Sequence, residues 1–168
     1  MMDRESRALA GELGAALRAL GWLCATAESC TGGLLAGAIT ACPGASLWFD
    51  RGFITYSNSA KTEQLRVLPD TLERHGAVSE ETAMEMAAGV LATTPAARLG
   101  LATTGIAGPG GATPGKPVGM VCFGIAYRAG DGINTRAVTR VFDGDRDAVR
   151  LAAVRFVLQT AIEGLPQL

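Results

Sequence analysis

The chain has 168 residues, 48% of them hydrophobic, and its 15 basic and 16 acidic residues leave a formal net charge of -1. That length and apolar content suit one core, so one domain over residues 1–168 is expected. Balanced charge without like-charge runs gives nucleic acid no footprint. No apolar stretch approaches the ~20 residues of a membrane helix, and MMDRESRALAGEL lacks the apolar core of a signal peptide. Cys24, Cys30, Cys42 and Cys122 show no CxxC pair and read as reduced thiols, which points to the cytoplasm.

Leu9, Leu13, Ala16, Leu17 and Leu20 recur at helical spacing and predict an amphipathic helix over residues 4–20, ended by Gly21. WLCATA (22–27) suits a buried strand, and Glu28, Ser29 and the pair Gly32, Gly33 then form a tight turn into a helix. GFITYS (52–57) predicts a second strand, followed by a helix capped by Asn58 or Ser59 with Lys61 in its first turn. Ser79 caps the next helix, whose inner stripe is Ala83, Met86, Ala87 and Val90. RLGLAT (98–103) reads as a strand and TGIAGPGGATPGKP as a loop long enough to be a site candidate. Strands over 118–127 and 134–142 joined by a Gly130 to Gly132 turn must be antiparallel. A last helix, capped by Asp143 or Asp145, presents Val149, Ala153, Phe156 and Thr160 inward. The alternation predicts a three-layer α/β/α sandwich with a mixed sheet ending in an antiparallel hairpin.

In such sheets, ligands bind where strands turn into helices. Three turns qualify: AESCTGG (27–33), YSNSAK (56–61) and TTGIAGPGG (103–111). Ser29, at a strand end before a glycine pair, sits like an exposed nucleophile, though a helix cap is the commoner role for a serine so placed. Cys30 is a rival nucleophile, since a helix N-terminus lowers a thiol pKa, or a small core residue. The 15 basic residues are 13 arginines and two lysines, Lys61 and Lys116, beside one histidine, His75. One histidine with scattered cysteines supplies no zinc site, so no metal is expected. His75 sits at a helix end, and arginine holds its proton, so a base for Ser29 would be a lysine desolvated in an apolar pocket. Lys61 fills that description or else lies solvated on a helix face. Tyr56 either shares its pocket or packs a strand end. Arg146 and Arg150, one helical turn apart, either hold a phosphate or pair with Asp143, Asp145 and Asp147.

Taken together, AESCTGG (27–33), FDRGFITYSNSAK (49–61), HGAVSE (75–80), TGIAGPGG (104–111), KPVG (116–119) and GDRDAVR (144–150) resemble the C-terminal domain of the competence-damage-inducible protein family, CinA. The likeness runs through almost the whole chain and is closest to the free-standing form of that domain. It implies nicotinamide mononucleotide deamidase activity without a metal or other cofactor, and a homodimer or larger assembly. By motif, Ser29 is the nucleophile, Lys61 its base and Tyr56 an assistant. Backbone N–H groups around Thr31, Gly32 and Gly33 would hold the oxyanion, while Glu28, Cys30, Asn58, Thr104, Gly105 and Arg146 would line the substrate site. The chain departs from the family at Ala112 to Gly115, where acidic residues are common, and at Met120, which replaces a common threonine. Two other classes compete: a nucleotide-binding regulatory module without turnover, linked to competence or DNA damage, and a thiol amidase using Cys30.

Overall fold

The structure, a computed structural model, describes residues 3–165. Asp3 starts α1 (Arg4–Leu20) by accepting the Ser6 N–H, and Gly21 in the left-handed region ends it by donating to Arg18 and Leu17 carbonyls. There follow β1 (Leu23–Glu28), α2 (Leu34–Thr40), a 3-10 turn (Ala45–Leu47), β2 (Phe49–Ile54), α3 (Asn58–Leu65), α4 (Pro69–His75) and α5 (Glu80–Thr93). Next come β3 (Ala97–Gly105), β4 (Met120–Ala129), β5 (Gly132–Val141) and α6 (Arg146–Gly164). The five strands form one mixed sheet in the order β2-β1-β3-β4-β5. β1 runs parallel to β2 and β3, and β4 is antiparallel to β3 and β5. The layered α/β/α architecture with a closing hairpin is therefore as the sequence pattern predicts. Among the described residues, no helix is long and apolar enough to cross a membrane.

Side chains alternate across the sheet with period two, which builds two cores. Cys24, Leu99, Leu101, Val121, Phe123 and Ile125 face α1, α2 and α6. Ala25, Ala27, Ala102 and Ala126 face Leu65 of α3 and Met86, Val90 and Leu91 of α5. The second face is built from small residues, which lets α5 approach closely. At Gly124 of β4 an added Cβ would run into the Ala83 carbonyl of α5.

The structure differs from the sequence pattern at four places. β2 lies three residues earlier than 52–57, because Thr55 and Tyr56 leave the sheet to reach the cap of α3. That cap is Ser57, not Asn58 or Ser59: its backbone is extended and its hydroxyl accepts the Ala60 N–H at 3.1 Å. β4 starts at Met120 and not 118, since Gly119 turns in the left-handed region, φ 91°, with its N–H on the Ile106 carbonyl. In α6, capped by Asp145, the buried stripe is Val149, Ala153, Val154, Val157, Leu158 and Ala161. Phe156 and Thr160 are half-buried on its flank. There Phe156 packs on Phe123, with ring centroids 4.8 Å apart, and borders a cavity of about 280 Å³ beside the edge strand β5.

Gly124→Ala should lower stability by about 1–3 kcal/mol through overpacking of α5 on β4. Gly11→Ala, on an open face of α1 where an added Cβ meets nothing within 4 Å, should raise it by about 0.5–1 kcal/mol. Urea midpoints of the two variants, moving in opposite directions, check both.

Candidate active site

The parallel register of β2, β1 and β3 delivers three strand ends to one place. Glu28 pairs with Ile54 on one side and Thr103 on the other, so Ser29, Thr55 and Thr104 follow side by side. The Thr55 N–H donates to the Glu28 carbonyl at 2.8 Å and the Ser29 N–H to the Thr103 carbonyl at 2.9 Å. Beyond Ser29 the chain must turn sharply into α2. Gly32 and Gly33 make that turn at φ 56° and 100°, the left-handed region that favours glycine.

An α-helix begins with N–H groups that lack intrahelical partners and with a positive dipole end. Here the Glu28 carboxylate, 1% exposed, takes that role. It accepts the N–H groups of Gly33 (2.9 Å), Leu35 (3.0 Å) and Ala36 (2.8 Å) and the Thr31 hydroxyl (2.6 Å). The Thr31 hydroxyl also lies 2.8 Å from that of Thr103. Glu28 and the Thr31 side chain are thus committed inside the protein, whereas the family resemblance implied a place for them against substrate.

Lys61 projects from α3 into the same strand-end pocket. It is 1% exposed and Ser29 8% exposed, and the Lys61 Nζ lies 3.1 Å from the Ser29 Oγ. Nζ also donates to the carbonyls of Thr55 at 2.8 Å and Tyr56 at 3.2 Å. Burial pushes the Lys61 amine down to about 8 from its ordinary 10.5. Of the two readings open from sequence for Lys61, the desolvated amine is the one that the structure shows. Cys30 follows the opposite course to the lowered thiol that its place before a helix suggested. Burial, with the Glu28 charge adding to it, pushes its thiol up to about 12.

A cavity of about 180 Å³ opens at Cys30 and Tyr56, the residues next to Ser29 and Thr55 in the chain, and is walled further by Arg146 and glycines 105, 108, 110 and 111 of the long loop. Tyr56 is 59% exposed at the mouth. Its hydroxyl accepts from Arg146 Nη2 at 2.9 Å, and Arg146 Nη1 donates to the Gly108 carbonyl at 2.8 Å. Tyr56 therefore meets Lys61 through its carbonyl, while its hydroxyl meets Arg146. Gly105 lines the cavity, but the Thr104 hydroxyl turns to the Ala77 carbonyl at 2.7 Å and ties down the loop after α4. Asn58, exposed at the start of α3, lines a separate shallow hollow with Thr62 and Pro69 and is not brought to Ser29. His75 is at the end of α4, with Nδ1 3.5 Å from a Glu81 carboxylate oxygen.

Sequence reasoning undervalued two residues. Arg150 does not join Arg146 at the mouth: its Nε donates to the Cys30 carbonyl at 3.1 Å and its Nη2 to the Thr31 carbonyl at 3.3 Å. Its one-turn spacing from Arg146 was the available signal, yet only the fold aims it at the Ser29 turn. Thr103, buried beside Thr31, gave no signal beyond its place at a strand end.

A model of the CinA C-terminal domain matches residues 6–165 of the chain. The nicotinamide-nucleotide amidohydrolase PncC of Enterobacter agglomerans is 51% identical over 162 residues, covering 96% of each chain. The PncC of Escherichia coli K12 is 48% identical over 160 residues, covering 95% of this chain and 94% of that one. The crystal structure of competence damage-inducible protein A (ComA) from Klebsiella pneumoniae superposes with a TM-score of 0.90 at 39% identity, over 96% of this chain and 97% of that one. Sequence and fold agree over nearly the whole length, and the chain belongs to the CinA C-terminal domain family.

Proposed function

We propose that this protein is an amidohydrolase that converts nicotinamide mononucleotide to nicotinic acid mononucleotide and ammonia, with Ser29 as nucleophile and Lys61 as its base. The names of the relatives support the substrate. The observation that carries the mechanism is the surroundings of the Lys61 amine. The Lys61 Nζ donates to the carbonyls of Thr55 and Tyr56 and is directed at the Ser29 hydroxyl; once the amine gives up its proton, the two carbonyls keep its N–H groups and its lone pair faces that hydroxyl.

Ser29 Oγ attacks the carboxamide carbon as its proton passes to Lys61. The tetrahedral intermediate then collapses: Lys61 gives the proton to the departing nitrogen, the C–N bond breaks and ammonia leaves an ester on Ser29. Water attacks that ester, losing a proton to Lys61, which returns it to Ser29 as the acid departs. The Gly32 N–H donates to the Ser29 carbonyl at 3.1 Å and the Gly33 N–H to Glu28. The oxyanion is accordingly held by the N–H groups of Cys30 and Thr31, displaced from the Thr31 to Gly33 stretch, and each such donor contributes about 3 kcal/mol. The glycine loop, Tyr56 and Arg146 surround the nucleotide. The same reading gives a one-domain cytoplasmic enzyme without metal or organic cofactor, working as a homodimer or larger assembly as the family resemblance implies.

Purified protein should release ammonia from the mononucleotide, and Ser29→Ala and Lys61→Ala should each lower kcat at least about a thousandfold. Cys30→Ala should keep most of the activity; a dead Cys30→Ala beside an active Ser29→Ala would overturn the assignment. Binding of the mononucleotide without ammonia release would instead mark a regulatory module. Because Lys61 acts unprotonated, kcat/KM should rise with pH through about 8 and level off above it.

Stability carries the same signature. Lys61 loses its proton near pH 8 in the folded chain and near 10.5 in the unfolded chain. Between those values the unfolded chain holds the extra proton, so the free energy of unfolding rises with pH. Relative to Lys61→Met, the parent should gain about 3 kcal/mol across that window. Urea unfolding of both proteins from pH 7 to 11 measures the difference, in which the cysteine ionisations cancel.

A further inference from the structure

We propose that Arg150 is a positioning residue for the oxyanion: from α6 it fixes the Cys30–Thr31 peptide so that the Thr31 N–H is presented to the reacting carbonyl. The inference rests on the reading of Ser29 as nucleophile. In a trans peptide the C=O and the following N–H point in opposite directions. Arg150 Nε holds the Cys30 carbonyl at 3.1 Å, so the Thr31 N–H is directed away from α6. Nη2 holds the Thr31 carbonyl at 3.3 Å, which fixes the next peptide as well. Two bonds from one planar guanidinium leave this short segment no freedom to flip.

The turn is held from its other side by Glu28, which takes the donors of Gly33, Leu35 and Ala36. Glu28 removes donors from competition, and Arg150 removes acceptors. Among the described residues, the N–H groups of Cys30 and Thr31 have no acceptor, although Thr31 is fully buried. A buried N–H without a partner costs free energy, and an oxyanion forming on the substrate would supply what it lacks. The guanidinium charge adds to this. Among the described residues its ion pair is with Asp147, 3.8 Å away and largely exposed, so the positive charge beside the turn is weakly screened. An added Cβ at Gly32 would meet Arg150 Nη2 at 3.3 Å, which shows how closely the guanidinium sits on the turn.

Arg150 does not line the cavity and its hydrogen bonds go to Cys30 and Thr31, not to Ser29, so its loss should act on the chemical step and spare binding. Arg150→Met should lower kcat about 10- to 100-fold with KM within threefold of the parent. The pH at which kcat/KM rises should stay put, because Lys61 is held by other groups. Arg150→Lys, with one compact donor group, should fall between the two. A second readout needs no mononucleotide: the rate at which a fluorophosphonate labels Ser29, a reaction that uses the same nucleophile and the same N–H groups, should fall by a similar factor. Unchanged kcat and labelling in folded Arg150→Met would overturn the proposal, as would a loss confined to KM. Should the methionine variant not fold, Arg150→Lys decides, with parent-level labelling overturning it. A parent whose Ser29 is labelled in an Arg150-dependent way but which releases no ammonia from the mononucleotide would sink the substrate assignment and leave this inference standing.

Discussion

A lysine amine taken out of water is the constraint around which the rest of this site is arranged. Its charged form is penalised by burial, and its N–H groups are directed at two carbonyls and a serine hydroxyl. Both carbonyls come from the first two of the three residues that link β2 to α3, and the lysine itself follows one turn into α3. The segment from Thr55 to Lys61 thus folds back on itself so that its backbone acceptors meet its own side chain. For that to happen Thr55 and Tyr56 must leave the sheet, which is why β2 ends early and Ser57 caps the helix.

The Ser29 turn shows the complementary arrangement. The start of a helix is a ready anion site, and in most folds the dipole of α2 would be offered to the ligand. Here Glu28 has already claimed it, with three N–H groups and the Thr31 hydroxyl directed at one buried carboxylate. The chain gives up a general anion site and gains a turn whose geometry is fixed. What attraction remains for a negative centre lies in a few backbone N–H groups and in the arginines of α6. Arg146 braces the wall through Gly108 and Tyr56, and Arg150 braces the turn. Neighbouring residues on one helix thereby support two different parts of the site.

Periodicity and caps made the helices and the sheet legible in the sequence, because apolar spacing and capping oxygens act over a few residues. α1, α5 and the closing hairpin needed nothing more. Ser29 stood out by its place before a glycine pair and Lys61 because one histidine and two lysines leave little else to serve as a base, but each kept a structural reading beside it, and the family resemblance alone paired them. What the sequence could not display were the partners that act through backbone. The carbonyls of Thr55 and Tyr56, the N–H groups counted off by Glu28 and the carbonyls held by Arg150 belong to no residue type. Directions of side chains were equally hidden. Tyr56 and Thr104 stand beside the site in sequence, yet the hydroxyl of one goes to Arg146 and that of the other to Ala77. Asn58 is three residues from Lys61 and faces elsewhere.

The scarcity of lysine in this chain has a structural counterpart in the long loop. Residues 106–119 are tied at both ends: the Ile106 N–H to the Met120 carbonyl at 2.8 Å and the Gly119 N–H to the Ile106 carbonyl at 2.7 Å. At its tip Thr113 and Lys116 exchange backbone hydrogen bonds at 3.0 and 2.9 Å. From that tip Lys116 reaches the His75 carbonyl at the end of α4, where a cation is favoured by the helix dipole. One lysine therefore sits desolvated against a serine hydroxyl, and the other sits at a helix C-terminus against a backbone carbonyl. Thirteen arginines, which cannot fill the first of these places, serve the remaining sites where a fixed charge or a planar fork is enough.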